Sequence, residues 1–160
     1  MKRRWFAGAI ALAVLGVSAL PALGNETKIR VTVESSYQLT IPAKTDIFYG
    51  QTSTPLNGIL KVTGNVLPDE AVQVTASAGA LHNDMKNADL PYSLVTLKDG
   101  QPFVSALWDE EELLDGLNGG AGKTLELSIS ITKENWNQAA AGTYEGTVTF
   151  TAGLLKNMQP

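Results

Sequence analysis

Thr124-Leu125-Glu126-Leu127-Ser128-Ile129-Ser130-Ile131-Thr132 sets an apolar side chain at every second position, with Thr, Glu and Ser between. Successive side chains of a β-strand point to opposite faces, so this pattern describes a strand with one buried and one wet face. Tyr144, Val148 and Phe150 repeat it later, alternating with Thr143, Glu145, Thr147, Thr149 and Thr151, while Gly146 takes the remaining inward place. Shorter versions occur at Ile29, Val31 and Val33, at Tyr37, Leu39 and Ile41, at Leu60 and Val62, and at Val72, Val74 and Ala76. Thr and Ser fill the outward positions, where branched Thr suits the pleat.

Turn formers separate these runs: Pro42, Asn57-Gly58, Gly64-Asn65, Pro68-Asp69, Asp99-Gly100 and Asn118-Gly119-Gly120. Asp99-Gly100 tolerates positive φ and reads as the turn of a hairpin from Leu94 to Val104. Two segments break the alternation. From Asp109 to Leu117 the chain has helical character, with Asp109 and Glu112 spaced as a capping box and Leu113, Leu114 and Leu117 on one face. Residues 133–141 read as a short helical turn between strands. No connection is long enough for the helical crossovers that a parallel sheet needs. The predicted fold is therefore all-β, an antiparallel immunoglobulin-like sandwich of about seven to nine strands with one short helix near 109–117.

Residues 1–24 stand apart. Lys2, Arg3 and Arg4 precede an apolar run over residues 6–20, and Ala22-Leu23-Gly24 sets small residues three and one before a cut between Gly24 and Asn25. That is the layout of a secretory signal peptide, which leaves 25–160 as a single domain. Removal takes three of the 12 basic residues and none of the 16 acidic ones, leaving 9 against 16, a net of −7. A surface of that sign repels phosphate backbones, which argues against nucleic acid as a partner. No second apolar span or basic amphipathic stretch follows, so no membrane insertion is expected after cleavage. The chain has no Cys, which excludes disulfides, thiolate metal sites and a Cys nucleophile.

Several stretches resemble functional motifs. Gly122-Lys123-Thr124 ends like a phosphate-binding loop, but Leu117 stands where the first Gly is required and a strand follows the Lys. Asp109, Glu110, Glu111, Glu112 and Asp115 carry enough carboxylate for calcium, yet consecutive acids diverge and suit a helix start. His82 lies in a polar stretch read as an exposed loop, with no nucleophile set beside it. No catalytic residue, cofactor or metal is expected. Trp108 and Trp136 are the candidate ligand contacts: exposed, either can stack on a sugar ring; buried, either closes an end of the sandwich. Burial is the favoured reading for both, Trp108 lying beside apolar Ala106 and Leu107.

The start of the exported chain has a different use. Lys28, Ile29, Arg30, Val31, Thr32 and Val33 alternate as a strand, which can pair within its own sheet or add to a sheet edge of a neighbour. Internal pairing is the simpler expectation, with Lys28 and Arg30 guarding an edge.

The order Ser36-Tyr37-Gln38-Leu39-Thr40-Ile41-Pro42, Leu60-Lys61-Val62-Thr63-Gly64, Val72-Gln73-Val74-Thr75-Ala76 and the closing Ala141-Gly142-Thr143-Tyr144-Glu145-Gly146-Thr147-Val148-Thr149-Phe150 resembles small secreted surface domains of Gram-positive bacteria. It is also similar to immunoglobulin-like domains of adhesins, fimbrial subunits and WxL-type wall proteins. The chain has neither the Trp-x-Leu motif of the last group nor the disulfide usual in chaperone-assembled pilins. The resemblance implies a sandwich fold and an envelope context, and it transfers no binding residue. The expected function is a non-catalytic structural or adhesive protein, secreted or held at the cell wall. Its partners would be other surface proteins, itself or a glycan. The alternative is a carbohydrate-binding module using Trp108 or Trp136.

Overall fold

The computed structural model describes residues 28–113 and 122–156. The expected leader with its cleavage point at Gly24 and Asn25, the expected helix continuation over 114–117 and its stop at 118–120 lie outside the described residues. Residues 28–32 belong to a unit separate from Val33–Pro160 and carry no strand or helix.

From Val33 onward the chain runs through eleven strands and two short helices among the described residues. In order these are β1 (Ser36–Thr40), β2 (Ser53–Pro55), β3 (Leu60–Asn65), β4 (Glu70–Ala78), β5 (Leu81–Asn83), β6 (Ala88–Leu90), β7 (Ser93–Thr96), β8 (Ser105–Trp108), α1 (Glu110–Leu113), β9 (Thr124–Leu125), β10 (Leu127–Ser130), α2 (Lys133–Gln138) and β11 (Val148–Lys156). All pairings are antiparallel, in the orders β1-β3-β9, β2-β10-β7 and β11-β4-β8, with β5-β6 as a separate hairpin. The fold is all-β and sandwich-like, as the alternation predicts.

Inward side chains of the sheets meet in one core. Leu60 and Val62 of β3, Val72 and Val74 of β4, Trp108 of β8, and Leu127 and Ile129 of β10 are buried together with Leu90, Leu94, Phe103, Leu113 and Ile131. Burial of each such side chain contributes about 1.5–3 kcal/mol, so these alternating positions drive the fold. The helix start is built as the spacing predicts: Asp109 Oδ1 accepts from the Glu112 amide at 3.0 Å, and Glu112 Oε2 accepts from the Asp109 amide at 3.3 Å. Thr132 caps α2 by accepting from the Asn135 amide at 3.1 Å.

Several expectations need correction. The run from Thr124 to Thr132 is two strands, because the chain changes sheets at Glu126: Leu125 faces Leu60 of β3, whereas Leu127 pairs with Thr96 of β7. Gly64-Asn65 is not a turn but the end of β3, with Gly64 opposite Tyr37. Tyr144 lies before the last strand, which begins at Val148 and continues to Lys156. His82 is in β5 rather than a loop. Segment 28–33 belongs to no strand, and Ile29, Val31 and Val33 are 88%, 81% and 66% exposed. Among the described residues, no helix is long and apolar enough to cross a membrane.

Candidate functional site

Trp108 is removed from the ligand candidates by its surroundings. It is fully buried, its indole donates to the Lys123 carbonyl at 2.9 Å, and the Lys123 ammonium stands 5.4 Å from its ring centroid. Lys123 in turn bonds Glu112 at 2.9 Å and donates to the Leu107 carbonyl at 2.6 Å. The lysine of the apparent phosphate loop and an acid of the apparent calcium run are thus partners that close one end of the core. A Trp beside apolar neighbours serves packing here.

Trp136 has a different setting. It sits on α2, half-buried, and its indole donates to the Gln51 carbonyl at 2.7 Å. Tyr49 meets it edge to face, with centroids 5.3 Å apart and planes at 71°. That is the arrangement ring quadrupoles favour. Tyr49 itself is 81% exposed and its neighbour Phe48 71%. Tyr49 and Trp136 both line a cleft of about 870 Å³ between the 44–49 loop, Leu81 and Leu90 of the β5–β6 hairpin, and the stretch after α2.

Ala139, Ala140, Ala141 and Gly142 form another part of its wall, with little side chain to fill the space. Tyr144 ties this wall down by donating to the Ala140 carbonyl at 3.1 Å, and Glu145 exchanges backbone hydrogen bonds with His82 at 2.7 and 2.9 Å. Behind Gly142 lies Asn83, fully buried, with a side-chain nitrogen that has no partner. Lys44 and Asp46, 3.8 Å apart, and Glu145 supply charge at the rim. The sequence alone points to Trp136 and misses Tyr49. The available signal was Ile47-Phe48-Tyr49-Gly50, three large apolar residues running into a turn glycine, more than one loop can bury.

His82 lies just outside this cleft. Its Nδ1 is 2.6 Å from Asp89 and its Nε2 3.5 Å from Asp84, so both ring nitrogens face carboxylates. The hydrogen bond to Asp89 holds its pKa above 6.5, with the charges of Asp89 and Asp84 adding to that.

A second feature lies at the sheet margins. Among the described residues, β1 and β11 each have a strand partner on one side alone. The Tyr37 hydroxyl of β1 donates to the Ala152 carbonyl of β11 at 3.1 Å, so a side chain links the two strands. The inward residues of these strands (Tyr37, Leu39, Val148, Phe150, Ala152) are half-buried, whereas Leu60 and Val62 of β3 and Val72 and Val74 of β4 are fully buried. Comparison with protein-family models and with curated proteins found no match to the chain.

Proposed function

We propose that the chain is an exported, non-catalytic surface subunit that assembles by lending segment 28–33 to the free edge of β11 in a neighbouring copy. The observation that carries this reading is the exposure of Ile29, Val31 and Val33 in a segment with strand alternation and no strand partner. An unpaired alternating segment in water leaves both its apolar face and its backbone groups without the partners that edge addition supplies. The acceptor side is supported by the length of β11, nine residues, and by Val148, Phe150 and Ala152 still half-open to solvent. Lys28 and Arg30 give the segment positive charge within a chain whose net charge is −4. The apolar run and small-residue cleavage site at the start of the sequence support the exported location.

Light scattering across a range of concentrations tests this on the exported form, Asn25 to Pro160. Growth into large species is expected, and Ile29→Asp with Val31→Asp should abolish it without changing the thermal unfolding of the domain. A concentration-independent monomer, or assembly that survives the two exchanges, overturns the reading.

A further inference from the structure

The cleft beside α2 has the composition of a saccharide site. Its volume of about 870 Å³ lies within the ~300–1,000 Å³ in which small ligands are held. Its aromatic wall is positioned in advance: the Trp136 indole is fixed to the Gln51 carbonyl, and Tyr49 is set against Trp136 while remaining 81% exposed. A ring so exposed gains nothing from the core, yet it offers a flat apolar face to solvent.

The rim carries both donors and acceptors, Lys44 on one hand and Asp46 and Glu145 on the other. Sugar hydroxyls both donate and accept, and the C–H face of a pyranose matches an aromatic ring. A phosphate ligand would meet two carboxylates against one ammonium. A wholly apolar ligand would offer nothing to the polar groups of Lys44, Asp46 and Glu145.

We propose that this cleft binds a neutral oligosaccharide, with Tyr49 and Trp136 as its stacking surface and Lys44, Asp46 and Glu145 as its hydroxyl partners. The cleft is lined by no residue of segment 28–33 or of β11, so the proposal stands whether or not the chain assembles.

The test titrates the exported chain with cellohexaose, chitohexaose, mannohexaose and maltohexaose, read by calorimetry and by amide shifts at 44–50 and 139–146. The chain carries Ile29→Asp and Val31→Asp so that assembly does not enter the measurement. Saturable binding of at least one hexaose is expected, weakened about tenfold or more by Tyr49→Ala and kept by Tyr49→Phe. Because Tyr49 is exposed, its loss leaves the fold in place. An absence of saturable binding by all four at millimolar concentration would sink the proposal, and so would binding that Tyr49→Ala leaves unchanged.

Discussion

His82 shows how much a single side chain depends on its partners. It is the one histidine of the chain, so its titration can be followed without ambiguity. Asp89 raises its pKa in the folded protein above the 6.5 of a free imidazole. A raised value means that protonated His82 favours the fold: the contribution is complete below pH 6.5 and disappears as pH climbs through the folded pKa. Imidazole NMR should place the midpoint above 6.5, and Asp89→Asn should bring it back down. A wild-type midpoint at or below 6.5 would contradict the His82–Asp89 geometry. The Asp99 carboxyl is shifted the other way, held down chiefly by the hydrogen bond from the Thr96 hydroxyl within the Asp99-Gly100 turn.

At the scale of elements, the contact between β1 and β3 is set by a glycine. Gly64 has φ +148 and faces Tyr37, and a methyl group there would overlap the Ser36 carbonyl and stand 2.7 Å from the Tyr37 Cα. Both obstacles are backbone, which cannot swing aside as a side chain can. Gly64→Ala is expected to destabilise the domain by about 2–4 kcal/mol, combining backbone strain with overpacking. Urea unfolding should show a lower midpoint at an unchanged slope; a midpoint equal to that of wild type would mean that β1 yields freely. The sequence marks Gly64 only as a turn former, because the same residue type serves turns and close strand approaches alike.

Other elements divide the same way between legible and hidden. β3, β4 and β10 follow from alternation because Leu60, Val62, Val72, Val74, Leu127 and Ile129 are buried outright, although Ser128 on the other face of β10 is buried too. The change of sheet at Glu126 leaves alternation intact, so no pattern announces it. Gly153, Leu154 and Leu155 interrupt the period and conceal the last third of β11, whose register comes from β4. The β5–β6 hairpin was hidden by its polar turn, where Asn87 adopts φ 46. The cleft was the least legible feature, since residues from opposite parts of the chain form it. Trp136 carried a signal by itself, but its meaning depended on Tyr49, 87 positions earlier.

For the molecule as a whole, the pairing of β4 with β11 is the longest ladder, running from Ala78 with Val148 to Glu70 with Lys156. Its partners are therefore 70 to 86 positions apart along the chain. Without β11, Val74 and Val72 lose their neighbours on one side and the core is left open. Deleting residues 148–160 is expected to abolish cooperative thermal unfolding, as calorimetry would show; a sharp transition in the truncated chain would mean that the sheet closes without it.

The same ladder sets an order of events during synthesis and folding. Pairings at such separation form late and slowly, since a long loop must be closed before any contact repays it. During synthesis from the amino end, the sheet cannot close until β11 has been made. β4 waits until then without its longest partner, so the core locks only with the last of the described strands.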